Sequence, residues 1–156
     1  KDKLNAYWET LKTKEKRMAF LQDYYEKLAN ELGWEPVLFG TGNIGGSKGR
    51  YYSDGKTLIL SENDFLNRSP FDLLVTIAHE TRHQYQHQCV QYFDINGKPP
   101  EGMSEDLVKA WKENQLHPID SDKDFWGYRA QQDEADSRDF GSNYATEYLL
   151  SHYSGN

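Results

Sequence analysis

The stretch SPFDLLVTIAHETRHQYQHQCVQY, Ser69 to Tyr92, decides the fold. Ser69 suits an N-cap, Pro70 suits the first helical position, and Asp72 favours the exposed N–H groups of a first turn. Leu73 to Ala78 are strongly apolar. Phe71, Leu74, Ala78, Tyr85 and Cys89 fall on one stripe at helical spacing, so a helix over about 69–92 is expected to pack on a core. His79 and His83 lie only ~40° apart around such a helix, away from that stripe. Two neutral imidazoles placed this way can grip a metal ion at about 2.0–2.1 Å each. Glu80 lies ~100° from His79, too far round for comfortable ligation but placed to reach a water on the metal.

Working outward, Arg50–Tyr52 and Lys56–Leu60 flank Ser53-Asp54-Gly55, where Asp-Gly signals a hairpin turn. With the β-prone run Pro36–Phe39, residues 34–63 are expected to form a small antiparallel sheet. Gly40, Gly42, Gly45, Gly46 and Gly49 read as a loop, and it lacks the Lys-Ser/Thr ending of a phosphate cradle. Within 1–33, Leu4, Trp8, Leu11, Met18, Leu21, Tyr25 and Leu28 predict one amphipathic helix, stopped by Gly33. Downstream, Asn96-Gly97-Lys98-Pro99-Pro100 breaks the central helix. Ser104–Gln115 predicts a short helix, 117–127 a loop, and 131–150 a final helix. The pattern is α+β and reads as a single domain over 1–156.

The chain has 156 residues, 37% hydrophobic and 28% charged, as one soluble globular domain would. Mean hydropathy is -0.92, and no apolar run approaches the ~20 residues of a membrane helix. Eighteen Lys and Arg stand against 25 Asp and Glu, a net charge of -7, which is a poor footprint for nucleic acid. Cys89 is the only cysteine, so an intrachain disulfide and a multi-cysteine zinc cluster are excluded. Its place on the apolar stripe predicts a buried, inert thiol. The chain opens at Lys1 directly into a helical pattern and reads as a domain of a larger protein.

A catalytic zinc site needs a third protein ligand and an open position for water. The extension His-Glu-x-x-His-x-x-Gly-x-x-His fails here, because Gln86 and Cys89 stand at its last two places. His87 lies ~80° from His79, better suited to a cleft wall than to the metal. The segment YRAQQDEADSRDFG, Tyr128 to Gly141, resembles the downstream Glu helix of gluzincin-type metallopeptidases. From 50 to 145, the run of hairpin, His-Glu-x-x-His helix and Glu helix resembles a minimal zincin domain. Such domains occur in bacterial peptidases and as toxin modules of larger secreted proteins.

The resemblance implies one Zn2+ per chain, held by His79, His83 and Glu134. It implies hydrolysis of a protein or peptide substrate, with Glu80 activating a zinc-bound water and Tyr128 ranked ahead of Arg129, His87 and His117 as oxyanion donor. It also implies a secreted or delivered bacterial parent protein, the alternative being a cytoplasmic one. A zinc-binding regulatory or interaction module of the same fold, with little proteolysis, is the rival reading. On a wheel centred on Glu134, Asp136 lies ~200°, Asp133 ~260° and Asp139 ~140° away, so none is an expected ligand. Gly141 and Ala145 fall within ~40° of Glu134, small enough for this helix to approach the one bearing His79 and His83. Arg82 leans towards the apolar stripe, to pair with a carboxylate or to snorkel. Thr57–Leu60 is the expected edge strand for an extended peptide.

Overall fold

The computed structural model describes residues 1–54 and 56–154 and is α+β, with seven helices and a three-stranded sheet among those residues. Its axis is α4 (Pro70–Asn96), which packs against the helices on both sides and against the sheet. Ser69 Oγ accepts the Asp72 N–H at 3.3 Å, and Gly97 closes the other end with φ 70°, a left-handed turn that glycine adopts without steric cost. The helix therefore outlasts the expected stop near Tyr92 and ends where the chain can turn. Leu73, Leu74, Ile77 and Ala78 are fully buried. About three turns further on, Cys89 and Val90 join a smaller cluster with Val108 and Trp111 of α5 (Glu105–Leu116). No helix among the described residues is long and apolar enough to cross a membrane.

The single N-terminal helix expected within 1–33 is two helices, α1 (Asp2–Thr10) and α2 (Lys14–Glu31). Thr13 makes the break by accepting the Lys16 N–H at 3.2 Å as an N-cap. Arg17 completes it, donating to the carbonyls of Leu11 (3.0 Å), just past α1, and of Trp8 (3.3 Å) in α1, while its guanidinium covers the Trp8 ring. Local side-chain hydrogen bonds thus override an apolar periodicity that runs straight through. Leu4 and Trp8 of α1, and Leu21, Tyr24, Tyr25 and Leu28 of α2, enter the main core with Leu58, Leu60, Leu73 and Leu74.

The sheet is mixed, not antiparallel. β1 (Leu38–Gly42) pairs parallel to β3 (Thr57–Ser61), which pairs antiparallel to β2 (Gly49–Tyr52), in the order β1-β3-β2. β1 uses Gly40 and Gly42, which the glycine-rich loop was expected to contain. The expected turn residue Gly55 lies outside the described residues. β3, with Leu58 and Leu60 fully buried, is the central strand, so the expected edge at Thr57–Leu60 is corrected: β2 is the edge strand beside α4. Two short helices occupy stretches without a helical expectation. They are α3 (Glu62–Asn67) and α6 (Phe125–Ala130), capped by Ser61 and Asp124.

The last helix, α7 (Gln132–Tyr153), buries Ser137, Gly141, Ala145 and Leu149, one residue every four, against α4. A Cβ on Gly141 would lie 3.0 Å from the Val75 carbonyl oxygen, 3.1 Å from the His79 nitrogen and 3.2 Å from the His79 Cβ. Two of those atoms are backbone and cannot step aside. On a free helix face, Gly→Ala stabilises by about 1 kcal/mol. Here Gly141→Ala is expected to destabilise by roughly 1–3 kcal/mol through overpacking. Urea denaturation measures the sign; stabilisation would show that the helices can separate freely.

Candidate metal centre

The close approach of α4 and α7 faces three side chains towards one another. The rings of His79 and His83, on successive turns of α4, stand 4.9 Å apart between centroids at 75°. Glu134, in the first turn of α7, spans them: its Oε1 lies 3.4 Å from His79 Nε2 and its Oε2 2.9 Å from His83 Nε2. Donors bound at about 2.0–2.1 Å to one tetrahedral ion are about 3.4 Å apart. The 3.4 Å contact matches that spacing, and the 2.9 Å contact is a hydrogen-bond distance. Glu80 sits beside them with Oε1 4.0 Å from His79 Nε2, while its Oε2 accepts the backbone N–H of Tyr51 at 3.1 Å. Gly49 permits this packing of β2 on α4, since a Cβ there would fall 2.8 Å from Thr76 Cγ2 and 3.1 Å from Glu80 Cγ.

Asp133 joins the cluster, where the wheel had turned it away from Glu134. His79, Glu80 and His83, and likewise His83, Asp133 and Glu134, bring their ligand atoms within 4.8 Å of one another. These five residues could hold a metal ion. Asp133 stands at the very start of α7, where its Oδ1 accepts the Glu134 N–H at 2.9 Å and holds its side chain at the cleft. Asp136 is engaged elsewhere: its carboxylate takes Arg82 Nε at 2.7 Å and Nη2 at 3.2 Å. Arg82 thus has the carboxylate partner its position suggested, and it lies over the Tyr85 and Phe140 rings as well. Asp139 is exposed.

The cluster lines a cleft of about 240 Å³ whose walls include Ser47, Arg50, Tyr51 and Tyr128. Tyr128 is brought to it by α6. Burial and the neighbouring Glu134, with which it is hydrogen-bonded, push its phenol well above the ordinary value, so it remains a donor. His87 lines an adjoining cleft of about 460 Å³ with Tyr51, Val90 and Leu116, in the wall position expected of it, and burial lowers its pKa. His117 is exposed beside Glu113, and Arg129 packs over Phe125; neither lines the cleft. Cys89 is buried as expected, and burial pushes its thiol up.

Sequence periodicity did not single out Gln86, which is fully buried and lies 2.9 Å from His83 Nδ1 through its Oε1. The available signal was its spacing, three residues after a ligand and hence on nearly the same face. No signal of that kind pointed to Tyr51 or Arg50, whose place at the cleft comes from strand pairing.

No family model, curated protein or solved structure matches the chain. The chemistry of the cluster is therefore read from its own geometry.

Burial opposes charge on both central groups, and their mutual attraction outweighs it. For His83, burial lowers the pKa, but the hydrogen bond to Glu134 and the charges of Glu80 and Glu134 carry it up to about 9 from 6.5. For Glu134, burial raises the pKa, but hydrogen bonds from His79 and His83 hold it far below the model-compound value of 4.5. In chelator-treated protein, the raised His83 pKa contributes stability that is complete below pH 6.5 and lost as pH rises through about 9. The depressed Glu134 pKa contributes stability present above pH 4.5 and lost as pH falls further. A metal must displace the His83 proton, so its affinity runs the other way and rises over the same alkaline window. Melting curves with chelator should fall between pH 6.5 and 9.5 while metal affinity climbs; parallel trends would show that the proton and the metal do not share the site.

Proposed function

We propose that the protein is a zinc-dependent peptidase of zincin-like architecture, hydrolysing peptide bonds in a protein or peptide substrate. One observation carries the reading: a carboxylate from a second helix, Glu134, spans two imidazoles of a His-Glu-x-x-His helix while Glu80 stands beside them uncommitted to either ring. Two imidazoles and a carboxylate suit zinc with one position left open. Bound there, zinc would supply Lewis acidity and a water that ionises near pH ~7.

The chain's own groups divide the remaining work. Glu80, held at the cleft by the Tyr51 N–H, takes the proton of the attacking water and returns it to the leaving amine. Tyr128 stays protonated and lines the cleft beside Glu80 and Glu134, the placement needed to donate to a developing oxyanion. The edge strand β2 offers backbone groups along which an extended peptide can lie, giving affinity with little reading of side chains. The net charge of -7 favours no nucleic-acid partner. Membership of a larger, delivered bacterial protein rests on the family resemblance alone.

Four substitutions test the roles. Glu80→Gln is expected to keep zinc near the wild-type content and to lose at least ~10²-fold in peptide hydrolysis. Undiminished cleavage would remove Glu80 from the chemistry; zinc binding without cleavage by the wild type would favour the regulatory-module reading.

Glu134→Ala is expected to abolish tight zinc binding in a competitive chelator titration, whereas Asp133→Ala and Asp139→Ala leave it nearly unchanged. If Asp133→Ala strips the metal and Glu134→Ala retains it, the third ligand is Asp133.

A further inference from the structure

We propose that Gln86 is a positioning residue that fixes which nitrogen of His83 faces the metal, and that Asp136 and Arg82 fix Gln86 in turn. The inference rests on the zinc reading above and adds to it a determinant outside the ligand set. The Gln86 side chain is wholly buried between α4 and α7. Its Nε2 lies 2.7 Å from Asp136 Oδ2, 2.9 Å from the Asp133 carbonyl oxygen and 3.0 Å from Ser137 Oγ. A carboxylate and a carbonyl only accept hydrogen bonds, so the amide nitrogen must occupy that side. The amide oxygen is then the atom 2.9 Å from His83 Nδ1. An amide oxygen only accepts, so His83 Nδ1 must carry a proton.

With Nδ1 protonated, the Nε2 lone pair of His83 is the one available to a metal, and Nε2 is the nitrogen facing Glu134. Ser137 Oγ, 3.2 Å from Nδ1, can accept from the same N–H and leaves the tautomer unchanged. The far end of the chain is equally constrained. Arg82 donates to both oxygens of Asp136, at 2.7 and 3.2 Å, which keeps that carboxylate an acceptor facing Gln86. Each link therefore permits one orientation of the next, from Arg82 through Asp136 and Gln86 to His83. Gln86 is also neutral. It orients the imidazole without adding a fourth carboxylate to a cluster that already contains Glu80, Asp133 and Glu134.

The test uses the whole protein with zinc alone as probe. Long-range 1H–15N NMR of the imidazoles in the zinc-loaded wild type should show His83 protonated at Nδ1. In competitive chelator titrations, Gln86→Leu should weaken zinc binding by roughly 10–100-fold, the usual loss when a ligand's hydrogen-bond partner is removed. Asp136→Asn should weaken it comparably, because an asparagine amide can donate where the carboxylate only accepted, and so lets Gln86 turn over. In that variant the metal-free protein should show His83 unprotonated at Nδ1 in part of the population, a change that loss of packing alone would not produce. His83 unprotonated at Nδ1 in the wild type, or unchanged zinc affinity in both variants, overturns the role of Gln86 and leaves the metal site standing. Failure of the wild type to bind zinc overturns both. Should Gln86→Leu not fold, the wild-type spectrum and Asp136→Asn decide the matter.

Discussion

The distance between α4 and α7 governs everything chemical in this protein. All the candidate ligands come from these two helices, which lie some fifty residues apart in sequence and meet where Gly141 leaves no room for even one methyl group against Val75 and His79. The small residues Ser137, Gly141 and Ala145 form a row at four-residue spacing, a ridge shallow enough for the α4 backbone to settle against it. Glu134 lies one turn above the start of that row and so projects across the gap to both imidazoles. A larger residue at 141 would hold the helices further apart and draw Glu134 away from the two imidazoles.

The same closeness concentrates charge. Glu80, Asp133 and Glu134 converge within a partly buried space, and burial first, with the charge of Glu134 added, drives Asp133 upward from its ordinary carboxylate value. Three acids cannot remain ionised together in a poorly solvated cleft without compensating positive charge. A proton on His83 offers part of it, which is why that imidazole is so basic in spite of its burial. A divalent cation offers more, and five residues that could hold one already converge there. The acidic cluster and the helix contact are thus complementary: one supplies the demand for a cation, the other the geometry to hold it.

What could be read from the sequence was whatever depends on angular position around a single helix. The side carrying His79 and His83, the buried Cys89 and the small residues at 141 and 145 follow from 100° per residue, whereas Glu134 is expected from the family resemblance and the place of Arg82 allows either a carboxylate or solvent. What could not be read depends on who lies next to whom across the chain. Alternation in β3 reports that Leu58 and Leu60 face inward, yet it carries no information on whether one neighbour or two flank the strand. The parallel pairing of β1 therefore had no local signature. The break at Thr13 did have one, a cap residue followed by Lys-Glu-Lys, but a continuous apolar pattern masked it. Asp133 escaped the wheel because it stands in the first turn, where the side chain is held by the backbone N–H of Glu134.

Gln86 links the motif to the architecture. In the extended motif a glycine stands three residues after the second histidine and a third histidine three residues further on. Here the glycine's place holds a glutamine, and α4 runs on for ten more residues to Asn96 before Gly97 turns it. A continuing helix carries Cys89 round to its opposite, core-facing side, so the same segment cannot close the site. On the zinc reading a third donor from another element, packed closely enough to reach both rings, would complete the site. The glutamine that rules out a local ligand is also the residue that hydrogen-bonds His83 and receives α7 through Asp133, Asp136 and Ser137. The two departures from the extended motif, Gln86 and Cys89, go together in this fold with a longer helix, a carboxylate facing the histidines from another helix and a glycine at the crossing.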